Sequence, residues 1–343
     1  MISEQWRTAP TLEEAGAGGV PHRETPQLVK NLGVSHLSSS AVGLIYQSWR
    51  KSTAAKYEGQ ISKFLSYCID HHILATEATV SDGLEYLTYL FEHEGRGYSY
   101  INGARSALST FINCGTISFG KQFLVSKLMK GVFNLRPSLP RYATVWNVKT
   151  VLDHLRATYV QNMTLSELSH RTATLLCMTS GQREQTMKFL CRKTLMIQDD
   201  IATLYVPEIL KTTKPGKHLE PIVLRRYEEQ TICVVHHLEL YLSRTSLLTK
   251  EDSQVFLAVK KPFRPVCPST IAKWVLRILA RAGIDVKVFG AHSTRAAATS
   301  HAKSCGVSFK QIAKAANWSS ERTFAKHYDK PIEMTLAEAI YSG

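Results

Sequence analysis

Hydrophobic residues recur every three or four positions through the first half of the chain, which is the spacing of an amphipathic helix. Ala55, Ile61, Phe64, Leu65 and Cys68 share one such helical face, and lysines are interleaved with them. The same period predicts further helices over 80–91, 98–111 and 121–133, the first of them capped by Ser81 or Asp82. The sequence therefore predicts a compact helical bundle over 39–136.

Two segments beside this bundle lack the period. Residues 1–38 are rich in Gly, Pro, Ser and Thr, so we expect a flexible N-terminal arm. Residues 137–143 follow Arg136 and contain Pro137 and Pro140, and each proline disfavours helical geometry at the residue before it. We expect an extended basic linker there.

A second domain is predicted over 144–343. Its pattern is mainly helical, with β-prone runs at 201–206 and 220–224 that are joined by a basic turn at 211–217. Helices are predicted to begin at Pro268, at His292, and after Ser308, which forms a capping box with Gln311. A short terminal helix is predicted over 335–341. The expected fold is mainly α: an N-terminal helical bundle, then a mixed, mostly helical domain with a small β-sheet.

Charge favours a polyanionic partner. Lys and Arg number 42 against 28 Asp and Glu, which gives a net charge of +14. A basic protein with no such partner is the alternative that charge alone leaves open. The chain has no acidic residue between Glu94 and Asp153, and a run of one sign over that length favours contact with phosphates of DNA or RNA. A basic linker between two domains would suit a clamp around a duplex. The candidate DNA-binding residues are Lys51, Lys56, Arg96, Arg105, Lys127, Lys130, Arg136, Arg141, Lys214, Lys217, Lys260, Lys261 and Arg264.

Other classes of site are poorly supported. The seven cysteines are dispersed without a C-x-x-C pair, which is typical of reduced thiols in an intracellular protein. The histidine pairs at 71–72 and 236–237 have no partners at metal-ligand spacing, so no metal or other cofactor is expected. The sequence contains no apolar run long enough to span a membrane and no secretory signal.

The C-terminal half supplies groups suited to phosphoryl transfer. Two guanidiniums can bind the charge of a pentavalent phosphorus, while a nucleophile attacks and a general acid protonates the leaving oxygen. A His and an Arg stand one helical turn apart in His-x-x-Arg, and a Tyr follows at about thirty residues. The candidate catalytic residues are Arg183, Lys211, His292, Arg295, Trp318 and Tyr328.

The order Arg, Lys, His-x-x-Arg, Trp, Tyr resembles the tyrosine recombinase (integrase) family, which includes Cre, Xer and the lambda integrase. The likeness covers nearly the whole chain, since the helical bundle is similar to that family's core-binding domain. The motifs at 180–183, 291–298 and 317–324 most resemble recombinases of DIRS and Ngaro-type retrotransposons and of Cryptons.

The resemblance implies a role for each residue. Arg183 and Arg295 would bind the scissile phosphate, Lys211 would protonate the leaving 5′ oxygen, and Tyr328 would form a 3′-phosphotyrosine. His292 would donate to the phosphate or assist proton transfer, and Trp318 would pack over it and donate its indole N–H. The resemblance also implies a homotetramer on two sites of double-stranded DNA and integration of a mobile element. The location would be nuclear if that element is eukaryotic, and the cytoplasm or nucleoid otherwise.

Two departures and two alternatives remain. Relatives commonly carry an acidic residue three positions after the first Arg, where this chain has Thr186. Lys211, Lys214 and Lys217 share one turn, so the general acid is not fixed by the sequence. The alternatives are a catalytically silent, recombinase-derived DNA-binding protein and a type IB topoisomerase-like enzyme. The sequence determines neither the target DNA nor whether Tyr328 acts in its own protomer or in a neighbour.

Overall fold

The computed structural model describes residues 36–139, 141–210, 213, 215–216, 218–249, 253–318 and 321–332. The chain divides into two compact units, and the division falls between Leu139 and Pro140. Each unit encloses a hydrophobic core of its own. The predicted arm at 1–38 lies mostly outside the described residues, as does the predicted terminal helix over 335–341.

The first unit is a bundle of helices. Its elements are α1 (Ser39–Tyr46), α2 (Lys51–Asp70), α3 (Val80–Glu92), α4 (Tyr98–Phe111) and α5 (Phe123–Leu135), with 3-10 turns at Ala75–Glu77 and Phe119–Lys121. Ile61 and Phe64 on α2 are fully buried, together with Leu87 on α3 and Ile101 on α4. The prediction that Ala55 lies on the hydrophobic face of α2 was wrong, because Ala54 is buried and Ala55 is exposed.

Two helix starts in this unit differ from the prediction. Thr79, and neither Ser81 nor Asp82, caps α3: its hydroxyl accepts from the Asp82 N–H, and the Asp82 carboxylate accepts from the Thr79 N–H. A capping box satisfies two unpaired donors at once, which explains the earlier start. Helix α5 begins at Phe123 and not at 121, because Phe119–Lys121 form a 3-10 turn.

The second unit is mostly helical and contains one small sheet. Its elements are α6 (Val148–Ala157), α7 (Leu165–Ser180), α8 (Glu184–Lys188), β1 (Leu195–Gln198), β2 (Ile201–Leu204), β3 (Ile222–Arg225), α9 (Val234–Thr245), α10 (Pro268–Arg281), α11 (Ser293–Ser304), α12 (Phe309–Ala316) and α13 (Glu321–His327). Helix α7 is buried along nearly its whole length and packs against α9 and α10, so it forms the centre of this core.

The sheet is antiparallel in the order β1-β2-β3. Thr203 in β2 lies opposite Met196 in β1 and Val223 in β3. The sequence predicted the second and third strands, which are displaced by up to two residues from the predicted ends, and it missed β1. The turn between β2 and β3 carries Lys211, Lys214 and Lys217, all three of which lie outside the described residues.

Helices α7 and α12 each end at a residue in the left-handed backbone conformation. Gly181 has φ +60° after α7, and Asn317 has φ 52° after α12. A Cβ at Gly181 would lie 3.5 Å from the Thr299 side chain and 3.7 Å from the Ala316 side chain, so this turn approaches both α11 and α12 closely. The predicted capping box of Ser308 and Gln311 at the start of α12 is confirmed.

None of the helices in the described parts of the chain combines the length and the apolar character needed to cross a membrane.

Candidate active site

The phenol of Tyr328 lies at the meeting point of three segments of the second unit. Tyr328 directly follows α13 and is 8% exposed. Its Oη is 3.4 Å from Nη2 of Arg183 and 3.5 Å from Nε2 of His292. A phenol held between a guanidinium and an imidazole has a neighbouring positive charge and a group able to exchange a proton with it.

Arg295 is buried beneath these groups on the first turn of α11. Its Nη2 donates to the Ala316 carbonyl at 2.6 Å, and its guanidinium carbon lies 4.6 Å from the Trp318 ring centre. Its Nε and Nη1 are buried and form no hydrogen bond with another described residue. Burial, and after it the charge of Arg183, lowers the pKa of Arg295 to about 10. The guanidinium is therefore charged at neutral pH but is poorly compensated.

Trp318 forms one wall of the same cluster. It follows the left-handed Asn317, and its ring centre lies 4.5 Å from that of Tyr328 and 5.2 Å from that of Phe324. Its indole Nε1 is buried, and no described residue accepts a hydrogen bond from it. The tryptophan therefore fixes the Tyr328 ring and carries a donor that is open to an added ligand.

The loop that carries Arg183 is tied to the end of α12. Gln182 donates from Nε2 to the Ala315 carbonyl at 2.6 Å, next to the carbonyl of Ala316 that Arg295 uses. Thr186 donates from Oγ1 to the Gln182 amide oxygen at 3.4 Å. Arg295 and the residue before Arg183 thus bind successive carbonyls of one helix end, and Thr186 supports Gln182 in this arrangement.

Sequence reasoning missed Glu184. Its Oε2 lies 3.9 Å from Nδ1 of His292, and its side chain is 16% exposed. Burial alone would raise the pKa of Glu184, but the nearby His292, backbone hydrogen bonding and the charge of Arg183 leave that pKa below its usual value. The adjacency of Glu184 to Arg183 was the available signal, but adjacent residues on a helix do not share a face, so the sequence did not connect it with His292.

The structure therefore brings five of the six candidate catalytic residues together: Arg183, His292, Arg295, Trp318 and Tyr328. The sixth, Lys211, lies outside the described residues. In the part of the chain that the structure describes, no three His, Cys, Asp or Glu side chains are grouped so that they could hold a metal ion.

The candidate DNA-binding residues fall into two groups. Several arginines make contacts within their own unit: Arg136 donates to the Phe91 carbonyl at 2.8 Å, Arg96 donates to Glu94 at 2.8 Å, Arg105 donates to Gly120 and Arg141 donates to Lys287. The described lysines and the remaining arginine are exposed: Lys51, Lys56, Lys127, Lys130, Lys260, Lys261 and Arg264. Lys214 and Lys217 lie outside the described residues.

Comparison with solved structures places this fold in a known class. The Tn1549 transposon integrase in complex with transposon right end DNA matches with a TM-score of 0.58 and 12% identity, over 93% of this chain and 98% of that one. The XerH site-specific recombinase bound to palindromic difH substrate, in a post-cleavage complex, matches with a TM-score of 0.57 and 16% identity, over 85% of this chain and 82% of that one. At these identities the likeness is one of fold, and the fold is that of the tyrosine recombinases.

The family itself is identified from the sequence. Residues 147–333, more than half of the chain, match the phage integrase family. The chain therefore belongs to the phage integrase family of tyrosine recombinases. No protein of the curated set matches its sequence.

Proposed function

We propose that this chain cleaves and rejoins double-stranded DNA through a 3′-phosphotyrosine on Tyr328. The observation that carries the proposal is the position of the Tyr328 Oη, which lies 3.4 Å from Arg183 and 3.5 Å from His292, above the buried Arg295. A phosphate placed at this phenol would meet two guanidiniums, which suit its non-bridging oxygens.

Buried donors that lack a hydrogen-bond partner in the described residues support the binding of an oxyanion at this site. Nε and Nη1 of Arg295 and Nε1 of Trp318 are buried, and no acceptor for them lies in the described residues. A buried donor without a partner costs about 1–3 kcal/mol, so three of them favour a ligand that accepts hydrogen bonds. A phosphodiester has the charge that would also relieve the repulsion between Arg183 and Arg295.

The proposed step balances without a nucleotide. The Tyr328 Oη forms a bond to phosphorus, the bond from phosphorus to the 5′ oxygen breaks, and a lysine of the 211–217 turn gives that oxygen a proton, with Lys211 as our first choice. The phenolic proton leaves Tyr328, and His292, whose Nε2 lies 3.5 Å from the Oη, would take it or donate to the phosphate. Attack by a 5′ hydroxyl on the phosphotyrosine reverses the step, so the bond energy is kept for rejoining. A metal ion has no part in this scheme.

The biological setting is part of the same proposal. The motifs around Arg183, His292 and Trp318 support a mobile-element recombinase of the DIRS, Ngaro or Crypton kind, which implies a nuclear location. Integration joins two duplexes, so we propose a homotetramer on two DNA sites. The exposed lysines of both units would supply phosphate contacts.

A suicide substrate tests the nucleophile. Its nick releases a short 5′-hydroxyl fragment after cleavage, so a covalent protein–DNA adduct accumulates and is separated by denaturing electrophoresis. Tyr328→Phe should abolish the adduct, because phenylalanine retains the packing against Trp318 and lacks the attacking oxygen. Tyr227→Phe, which removes the hydroxyl of an exposed tyrosine, is the matched control and should form the adduct normally.

The same assay separates the alternatives. An adduct that persists in Tyr328→Phe contradicts the assigned nucleophile. Binding of DNA without any adduct would indicate a silent recombinase-derived protein, and relaxation of supercoiled plasmid without synapsis would indicate a topoisomerase-like enzyme.

A further inference from the structure

The segment that enters the second unit, Tyr142–Trp146, packs directly against the residues that follow the tyrosine. The Val145 N–H donates to the Pro331 carbonyl at 2.8 Å, and Val145 and Ile332 form a parallel β-bridge. Val145 is fully buried. The strand-like stretch after Tyr328 is therefore paired with a segment that lies far from it in sequence.

Lys330 reinforces this pairing with its side chain. Its Nζ donates to the Tyr142 carbonyl at 2.5 Å and lies 4.1 Å from the centre of the Tyr142 ring. An ammonium that meets both a carbonyl and an aromatic face loses water but gains a hydrogen bond and a cation–π contact. Burial lowers the pKa of Lys330, which agrees with a partly desolvated amine. Two residues after the nucleophile, the chain is thus anchored through a side chain as well as through the backbone.

Helix α11 connects these contacts with the rest of the site. Ser300 donates to the Tyr328 carbonyl at 2.5 Å and accepts from the Lys330 N–H at 3.2 Å. At the other end of α11, the Trp146 indole donates to Ser293 at 2.9 Å in a buried contact. Ser293 lies between His292 and Arg295 in sequence. One continuous set of contacts therefore joins the entering segment to the tyrosine and to the first turn of α11.

We propose that Tyr142 and Lys330 are positioning residues that hold the Tyr328 hydroxyl in line with the scissile phosphate. This inference rests on the proposed function of Tyr328. The backbone of Tyr328 forms hydrogen bonds from its N–H to the Phe324 carbonyl and from Ser300 to its own carbonyl. The contact between Lys330 and Tyr142 fixes the chain two residues beyond it. In-line attack tolerates little misplacement, since an error of about 1 Å costs on the order of 100-fold in rate.

The first test uses the suicide substrate at saturating DNA. Lys330→Gln should slow adduct formation about 10- to 100-fold while DNA affinity stays near that of the unaltered protein. Lys330→Arg should restore most of the rate, because a guanidinium keeps the charge and also packs on an aromatic face. Lys310→Gln, an exposed lysine of α12 that lies outside this set of contacts, is the control for loss of one positive charge.

A second pair of variants guards against a loss of folding. Tyr142→Phe keeps both the ring and the carbonyl that Lys330 contacts, so its rate should be normal. Tyr142→Leu removes the ring and should be slow. If the two residues act through their mutual contact, the double variant Tyr142→Leu with Lys330→Gln should be about as slow as the slower single variant, and the two fold-changes should not multiply.

A substrate with a bridging sulfur at the scissile 5′ position separates positioning from proton donation. A thiolate leaves without protonation, so a defect in a general acid disappears on this substrate while a misplaced nucleophile stays slow. Lys330→Gln should be equally slow on both substrates, and recovery on the sulfur substrate would overturn the inference in favour of Lys330 as an acid.

The remaining outcomes are distinct. A normal rate for Lys330→Gln and Tyr142→Leu, with the unaltered protein active, overturns this inference alone. No adduct with the unaltered protein overturns the proposed function and this inference with it.

Discussion

The acidic support of the site is placed differently from what the family pattern predicts. Thr186 occupies the position where relatives carry a carboxylate, and it bonds to Gln182. The carboxylate that approaches His292 belongs to Glu184, at 3.9 Å from Nδ1, while Nε2 of the same ring faces the Tyr328 hydroxyl at 3.5 Å. A carboxylate on one ring nitrogen orients the imidazole and favours a proton on that nitrogen, which leaves the other nitrogen to serve the tyrosine.

Glu184→Gln should therefore slow adduct formation about tenfold or more, because the amide keeps the shape of the side chain and loses the charge that orients His292. The rate is measured with the suicide substrate. The matched control is Glu220→Gln, an exposed carboxylate that pairs with Lys314 at 3.4 Å. Glu184→Gln should have no further effect in a His292→Ala background, and a full additional loss there would show that Glu184 acts by another route.

The sequence predicted the members of the candidate site better than the residues that support them. Arg183, His292, Arg295, Trp318 and Tyr328 were each predicted from residue type and order, and the fold brings them together. Glu184 and Gln182 were not, because their partners are more than a hundred residues away, and the contacts depend on the packing of α7 against α11 and on the approach of the turn after α7 to the end of α12. Residue order reveals chemistry that is shared with relatives, whereas contacts particular to one chain depend on its packing.

Helices α7 and α9 are joined by a buried polar pair. Arg171 is fully buried, and no carboxylate of the described residues forms an ion pair with it. It donates to the Thr158 hydroxyl at 3.1 Å, to backbone carbonyls of Leu155 and Thr231, and towards Nε2 of His237 at 3.5 Å. The other ring nitrogen of His237 donates to the Cys233 carbonyl at 2.9 Å. This arrangement requires a neutral imidazole, since a proton on Nε2 would face the guanidinium.

Stability should therefore fall on mild acidification. Burial, with a smaller contribution from Arg171, lowers the pKa of His237 to about 4 from its ordinary 6.5. The contribution is complete above pH 6.5 and is lost as pH falls towards 4, because the unfolded chain binds a proton that the folded chain excludes. Its slope is up to about 1.4 kcal/mol per pH unit. Urea unfolding at pH 7, 6 and 5 measures it.

The variant His237→Gln should reduce this slope without abolishing it, because burial also lowers the pKa of His170 to about 4, and the protein will be less stable at pH 7. His218→Gln, at an exposed position of the same unit, is the control and should leave the slope unchanged. An identical slope in the unaltered protein and in His237→Gln would show that this histidine does not cause the loss.

Element prediction succeeded where the hydrophobic period was long and failed where it was short. Helix α4 has the predicted bounds, because Gly97 precedes it and fourteen residues carry its pattern. Strand β1 was missed: it has four residues, with an alternation of partly buried and exposed positions that is too short to distinguish from a loop. Its place is set by pairing with β2, which is a tertiary interaction.

At the scale of the whole molecule, each unit contains a hydrophobic core, whereas the acid-free basic run lies mainly in the first unit. Each unit has its own buried cluster, which is the usual requirement for independent folding. The acid-free run between Glu94 and Asp153 is shared unequally, since only Arg141 and Lys149 of its basic residues lie in the second unit. The others lie in the first unit: Arg96, Arg105, Lys121, Lys127, Lys130 and Arg136. The proposed active site, by contrast, lies entirely in the second unit.

Residues 140–343 expressed alone should therefore fold, yet bind DNA more weakly and with less dependence on salt. Each phosphate contact contributes about 0.9 to the slope of log affinity against log salt, so loss of the first unit's contacts should lower that slope by several such increments. Fluorescence anisotropy with a duplex at a series of salt concentrations gives the slope, and circular dichroism checks the fold.

At low salt the isolated unit should still form the Tyr328 adduct on a suicide substrate, although slowly, because every described residue of the proposed active site remains. An unchanged salt slope would contradict a role for the first unit's basic residues in binding phosphates. If the isolated second unit folds and binds DNA but forms no adduct, catalysis requires the first unit directly.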